Sequence, residues 1–318
     1  MTAPPRSSTR EPALAVVLVA ERWETIRQVV DCLRAQRDPG ALELVVATAS
    51  PDSLGLDDDE VSLLGCVRVV QVQDGLPLAA ARASGVRAAT APFVFLGETH
   101  VYPRPGFVDA LLAAHARGYA AVSPAIENAN PDGRLSWAGY LADYGTRAPA
   151  QPAGERDSVA PYNTSFARSA LLEHDDRLAE LLSPSSELSA ALRSRGHRFA
   201  FEPAARVGHL NVSRPLPWLA ERFLGGRLLA ESRIRRWRPL RRLAYTIGAP
   251  LIPAVLVARM LRDVPHRSLP LPRGTLAAVA LGASVSAAGE LWGYVVGGSD
   301  GQRRMVKYEL DKVHYVAR

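Results

Sequence analysis

Sulfur is scarce in this chain: two cysteines, Cys32 and Cys66, and three methionines occur in 318 residues. Two isolated thiols build no disulfide framework, and their separation matches no metal-ligand spacing. Cys32 falls within a predicted helix and Cys66 at a predicted strand start, so both read as core fillers in a reducing compartment. The opening "MTAPPRSSTREP" is polar and Pro-rich with no apolar stretch, so the expectation is a disordered tail over residues 1–12 and not a signal peptide. There is no P-loop, no Gly-x-Ser-x-Gly elbow and no Cys/His zinc pattern.

What is present is ordinary in bulk and uneven in detail. A hydrophobic fraction of 47% and a charged fraction of 22% exclude global disorder. The net charge of +6 is modest, but eight arginines lie between Arg222 and Arg242, with only Glu221 and Glu231 close by. Such a stripe suits phosphate, anionic lipid or nucleic acid. The lack of aromatic interleaving in a single-strand groove, and the adjoining apolar segments, argue against nucleic acid as a partner. The acidic "LDDDE" at 56–60 reads as a solvated loop, and His115 and His197 as surface residues at helix ends or turns.

The first third alternates strand and helix signals. "LAVVLVA" (14–20), "LELVVAT" (42–48), "CVRVVQV" (66–72) and "FVFL" (93–96) are apolar, β-branched runs expected of strands covered on both faces. Between them lie a helix presenting Ile26, Val29, Val30 and Leu33, and the Ala-rich helix "PLAAARASGVRAA". "PGFVDALLAAHARG" gives a further helix and "YAAVSP" another strand. The order predicts a parallel sheet with helical crossovers. From Glu127 to Asp157 the chain is polar, with interspersed aromatics and no sustained period, as expected of a functional cover. A helix from about Ser186 to Arg195 and the strand-like "HRFAFEP" follow.

Beyond the arginines, residues 243–261 and 275–298 are apolar stretches that approach the roughly 20 residues a bilayer requires. Both are flawed as spans. Pro250 and Pro253 interrupt the first and Glu290 the second. An in-plane or re-entrant pair anchored by Trp237, Trp292, Tyr294 and the arginines fits better than two clean spans; a soluble helical hairpin is the alternative.

"FVFLGETH" then raises a chemical question. Ligands of open parallel sheets sit beyond the carboxyl ends of the strands, which is where Glu98 and His100 stand. Two residues apart on an extended exit, a carboxylate and an imidazole can share one divalent cation, Mn²⁺ or Mg²⁺, with a nucleotide diphosphate filling the other positions. Taken alone, the same three residues also read as a surface loop.

The wider order of features resembles the family 2 glycosyltransferases, inverting enzymes with the GT-A fold that use nucleotide-diphosphate sugars. "VVLVAERWETIRQVVDCLRAQ" is similar to their opening strand and helix. "GLPLAAARASGVRAATAPFVFLGETHVYPRPGFVDALL" is similar to the stretch that holds their Asp-x-Asp metal motif, with Glu98-Thr99-His100 at that position. "YNTSFARSALL" and "ELSAALRSRGHRFAFEPAARVGH" resemble two later segments, and the C-terminal apolar region is like the membrane-associated tails of one subgroup.

The resemblance implies an α/β, Rossmann-like, mostly parallel GT-A domain over residues 13–215, followed by an Arg-rich, apolar helical region over 216–318. It implies Glu98, His100 and His209 as metal ligands, and Glu21, Arg82 and Glu98 on the donor side. Asn163, Arg168 and Trp137 would bound the acceptor, and Glu187 would be the general base. Each has a plainer reading: His209 satisfied by backbone, Arg82 on a helix surface, Asn163 in a turn, Glu187 stabilising a first helical turn. Two departures stand out. The second strand ends "VVATAS" where the family carries an acidic pair that reads the base. The family's Glu-Asp pair aligns with Pro184 and Ser185. The expectation is therefore an inverting glycosyltransferase at the cytoplasmic face of the cell membrane, serving a lipid-linked or glycan acceptor. The rival is a non-catalytic scaffold of the same fold that has lost its base.

Overall fold

Six consecutive buried residues, all Leu, Ala or Val, form β1 (Leu14–Val19). A strand hidden on both faces needs helices on either side of its sheet, and the following elements supply them. The structure, a computed structural model, describes residues 11–57, 59–183, 187–234, 237–297 and 301–317. Residues 1–10 of the expected tail, and Pro184 and Ser185 at the expected base position, lie outside the described residues. Two units emerge. The first comprises Met1–Glu127 with Pro152–Gly208, the second Asn128–Gln151 with His209–Arg318. The second unit thus takes in most of the polar middle segment as well as the C-terminal third.

After β1 the chain forms α1 (Trp23–Arg34), β2 (Leu42–Thr48), β3 (Cys66–Gln71), α2 (Leu78–Ala88) and β4 (Phe93–Leu96). It continues through β5 (Val101–Pro103), α3 (Phe107–Ala116), β6 (Ala121–Asn128) and α4 (Arg134–Asp143). Then come β7 (Gly154–Arg156), β8 (Thr164–Ala167), the short helices α5 (Arg168–Leu172), α6 (Leu178–Leu181) and α7 (Leu188–Ser194), and β9 (Phe199–His209).

The strands make one nine-stranded sheet in the order β3-β2-β1-β4-β8-β6-β9-β5, with β7 on β9. Parallel pairing joins β2 to β3, β1 to β2 and β1 to β4. At β8 the direction changes: Leu96 pairs with Thr164 and Phe93 with Ala167, antiparallel. The α/β class is as expected, but the parallel pattern of the first strands does not continue across β8. The four residues of "TSFA" carry no continuous apolar run that would mark a strand in the sequence.

Small residues let α2 lie close on the sheet. Ala79, Ala83 and Val86 join Val17, Val45 and Val94 in the core, and a methyl group on Gly85 would overlap Val17. The link from α2 to β4 is fastened by two charged side chains. Glu43 is fully buried in β2. It accepts from Arg68 Nε at 2.7 Å, from the backbone N–H groups of Thr90 at 2.7 Å and Ala91 at 2.9 Å, and from the Thr90 hydroxyl at 3.1 Å. Such satisfaction is what a buried carboxylate requires. Arg168 donates to the carbonyls of Val86 at 3.0 Å and Arg87 at 3.1 Å, a cation at the C-terminus of α2.

The second unit is helical: α4 together with α8 (Pro215–Ile234), α9 (Pro239–Gly248), α10 (Ile252–Asp263), α11 (Thr275–Val296) and α12 (Gly301–Leu310). The two apolar stretches are therefore helices. α8 and α11 meet through glycine. A methyl at Gly226 would overlap the Ser286 carbonyl and one at Gly289 the Phe223 carbonyl, while at Gly293 it would come within 2.6 Å of the Ala230 methyl. Backbones approach that closely only over small residues. The glutamate that interrupts α11 is satisfied internally. Glu290 accepts from Arg233 at 2.7 Å and from the Tyr294 hydroxyl at 2.9 Å.

Candidate donor and metal site

In the first unit, the candidate residues begin at the turn after β4. Gly97 continues the strand pairing by donating to Val17 O at 3.0 Å, and a side chain there would press on Leu18 and Phe95. Glu98, Thr99 and His100 follow, all buried. The loop is thus no solvated surface turn. His100 Nε2 stands 3.6 Å from Glu98 Oε2, and its Nδ1 is 3.3 Å from the Thr99 hydroxyl.

Two further groups converge on Glu98. Arg82, a buried residue of α2, points Nη2 at Glu98 Oε1 across 3.5 Å. It is an interior arginine rather than a helix-surface one. Asn163 donates Nδ2 to Glu98 Oε2 at 2.5 Å, and its backbone N–H binds Leu96 O at 2.7 Å. Asn163 also has φ of 48°, the one positive value outside glycine among the described residues. Asparagine tolerates that left-handed conformation better than most residues, and such strain gathers where a side chain must be aimed. Asn163, expected on the acceptor side, is a partner of Glu98.

Glu21 follows β1 and reaches across to β2, accepting from the Thr48 hydroxyl at 3.1 Å and from Ala49 N at 3.3 Å. It therefore lies at the carboxyl ends of β1 and β2, on the same edge as Glu98, since β1 and β4 run parallel. Arg168 does not join this group. It stands at the far end of β8, on the α2 carbonyls. Glu187 is an exposed residue at the start of α7. His115 is not the surface residue its position suggested. It is buried, bridges Tyr119 O and the Ser165 hydroxyl at 2.8 Å each, and stacks on Phe93 at 4.2 Å. Burial pushes its pKa down to about 4, opposed by the hydrogen bond its ring donates to the Tyr119 carbonyl.

In the second unit, His209 ends β9 and is buried against Tyr144, with ring centroids 4.2 Å apart. Its Nδ1 lies 3.0 Å from Asn211 Oδ1. The Asn211 amide nitrogen is committed elsewhere, to Asn128 Oδ1 at 2.9 Å and His209 O at 3.1 Å. Asn211 therefore offers only an acceptor to the ring, so Nδ1 carries the proton and Nε2 the lone pair. Burial first, and then the Lys312 charge, hold the pKa of His209 well below its ordinary value, with the Asn211 hydrogen bond opposing. A neutral imidazole fixed in one tautomer by an outer hydrogen bond is the form that binds a metal. Asn130 completes this support, accepting from Asn211 N at 2.8 Å and donating to Asn211 O at 2.8 Å. The network was not foreseen, although "ENAN" and "HLN" carry its residues. Trp137 is buried in α4 of the same unit, its N–H held by Pro131 O at 2.7 Å.

In the first unit Glu98 and His100 offer a carboxylate oxygen and an imidazole nitrogen that fit a divalent cation, and in the second unit His209 offers a neutral imidazole; nitrogen ligands suit Mn²⁺ better than Mg²⁺, which prefers an all-oxygen shell.

The model of the family described as Glycosyl transferase family 2 matches residues 15–174. The chain belongs to that family. It is 26% identical over 233 residues to the pre-mycofactocin glycosyltransferase of Mycobacterium tuberculosis, in strains CDC 1551 and H37Rv. That match covers 70% of this chain and 48% of the relative, so the chain spans about half the length of the curated relatives it matches. Among solved structures, Staphylococcus aureus TarS 1–349 in complex with UDP-GlcNAc gives a TM-score of 0.47 at 14% identity, over 90% of this chain and 92% of that one. The mannosyltransferase PcManGT from Pyrobaculum calidifontis, in complex with GDP-Man and Mn²⁺, gives 0.48 at 16% identity, over 98% and 84%.

Proposed function

We propose that this chain transfers a sugar, with inversion, from a nucleotide-diphosphate donor to a lipid-linked or glycan acceptor at the cytoplasmic face of a membrane. The observation that carries the reading is the convergence of Arg82, His100 and Asn163 on the buried carboxylate of Glu98, at the carboxyl end of a strand. A buried carboxylate bonded to an amide, with a guanidinium and an imidazole beside it, is a preorganised polar centre, costly to build for stability alone. The chemistry that a cation held by Glu98, His100 and His209 supplies is neutralisation of charge on the leaving diphosphate.

The chain's own residues have separate tasks. Asn163 and Arg82 fix the orientation of Glu98, and Arg82 adds positive charge beside the donor phosphates. Asn211 fixes the tautomer of His209. Glu21 faces the nucleoside part of the donor from the ends of β1 and β2. Glu187 takes the proton from the acceptor hydroxyl as that oxygen attacks the anomeric carbon.

The test is nucleotide-diphosphate binding by calorimetry with and without Mn²⁺, on the parent and on His100→Ala. Mn²⁺ should tighten binding to the parent and leave the variant unchanged. Equal tightening in both removes the assigned ligand set. A non-catalytic scaffold is the second reading, favoured by the exposure of Glu187, whose charge acts on Arg177. Release of free sugar from a panel of nucleotide sugars separates the two, since a scaffold releases none.

A further inference from the structure

We infer that α9, α10 and the outer face of α11 form one surface that lies in the plane of an anionic bilayer, and that neither apolar helix spans it. The inference deepens the membrane part of the proposed function and rests on that reading. By length and composition alone, Pro239–Asp263 and Thr275–Val296 are both able to cross a membrane. Packing within the second unit decides otherwise.

α11 is accompanied by α8. The two run side by side from Trp218 against Gly282 to Ala230 against Gly293, over about 18 Å. α8 carries Glu221, Arg222, Arg227, Glu231 and Arg233, each in an ion pair within this unit. If α11 crossed the bilayer, this charged helix would be drawn into hydrocarbon with it. In-plane seating avoids that: α11 keeps α8 on one side and offers Leu281, Leu291 and Trp292 on the other, where they are exposed.

The pair α9–α10 is inverted relative to a soluble amphipathic helix. In α9 the side chains that reach the rest of the unit are polar or aromatic, while α10 buries Met260. Arg242 donates to Tyr294 O at 2.5 Å and Val295 O at 3.2 Å, and Tyr245 rests on Trp237 with centroids 4.4 Å apart. Its outer side is apolar, with Leu240 81% exposed, Ile247 71% and Leu251 68%. Such a face is made for an apolar medium.

Charge identifies the medium. Residues 238–273 contain seven arginines and one acid, Asp263, a balance of +6 that equals the net charge of the whole chain. Asp263 is itself paired with Arg262 at 2.6 Å. Apolar side chains for the acyl boundary, with arginines beside them for phosphate headgroups, match an acidic lipid surface better than a second protein.

The experiment is flotation of the full chain with phosphatidylcholine vesicles, with and without phosphatidylglycerol. Acidic vesicles should carry it and neutral vesicles should not. Leu240→Glu/Ile247→Glu/Leu251→Glu, three exposed positions, should lower binding by more than about tenfold. Nucleotide-diphosphate affinity without vesicles should not change, which keeps a failure here distinct from a failure of the donor site. Depth is read with a fluorophore on Leu240→Cys, Ile247→Cys or Val255→Cys in a Cys32→Ser/Cys66→Ala background. Quenchers in the headgroup region should reach all three equally. Equal binding to neutral vesicles, a monomer–dimer equilibrium that covers this face in place of lipid, or a label depth that climbs to the bilayer centre at Ile247 would each overturn the inference.

Discussion

Asn163 does two things at once, and substitution can pull them apart. Its side chain holds Glu98 at 2.5 Å, and its backbone sits at φ of 48°. Asn163→Ala removes a hydrogen bond to a carboxylate, a loss of about 1.5–3 kcal/mol. It also leaves a β-carbon in the left-handed region without the local hydrogen bonding that eases asparagine there, at a further cost of about 1 kcal/mol. Asn163→Gly loses the same hydrogen bond but relieves the backbone. Urea unfolding should therefore rank parent above glycine above alanine, with the two variants about 1 kcal/mol apart. Mn²⁺ affinity, measured by calorimetry in the presence of a nucleotide diphosphate, should fall by about 10–100-fold in both variants alike, as for other outer-shell partners of metal ligands. Equal stability of the two variants would refute the backbone argument. Unchanged Mn²⁺ affinity would refute the claim that this amide aims Glu98.

Further outcomes can be checked with less labour. His115 is neutral in the folded protein, with its pKa moved from 6.5 to about 4 by burial. Its contribution is complete above about pH 6.5 and is lost as pH falls towards 4, at most about 3 kcal/mol, because only the unfolded chain binds the proton in that window. Urea midpoints across that range should show it, and His115→Gln should flatten this part of the profile. Adjacent glycines of α8 should respond in opposite directions. Gly225 has open space, its nearest neighbour being Met305 at 3.9 Å, so Gly225→Ala should raise stability by about 0.5–1 kcal/mol. Gly226→Ala meets the Ser286 carbonyl and should cost at least about 2 kcal/mol in thermal unfolding. Glu187→Gln should abolish transfer and leave nucleotide-diphosphate binding intact if Glu187 is the base; retained turnover assigns the base elsewhere.

Strands rich in apolar and β-branched residues announce themselves, because burial against helices selects such residues. β1, β2 and β4 are legible for that reason, the half-buried edge strand β3 by its three valines, and the helices between them by period or by alanine content. β5 and β7 are three residues long, and β8, four residues like β4, has Thr164 and Ser165 where β4 has a continuous apolar run. α4 hides its helical period because both its faces carry polar and aromatic residues in a polar neighbourhood. The site was half legible. A carboxylate and an imidazole at a strand exit can be seen in one line of sequence. That Asn163 serves Glu98, and that Asn128, Asn130 and Asn211 orient His209, depends on contacts between segments up to 83 residues apart, which no local pattern encodes. His115 was misjudged because a histidine near a helix end usually meets water, and only the fold reveals Ser165 and Phe93 beside it.

The fastening of the α2–β4 link by Glu43 and Arg168 has a consequence for how accurately the other end of β4 is held. A strand scarcely stretches, so four residues carry a position over about 13 Å with little loss. Fixing Thr90 and Ala91 at one end thereby sets where Glu98 emerges at the other. Conservative changes such as Glu43→Gln, remote from any donor atom, should detune the chemistry as a shifted fulcrum detunes a balance, while the strand itself stays folded.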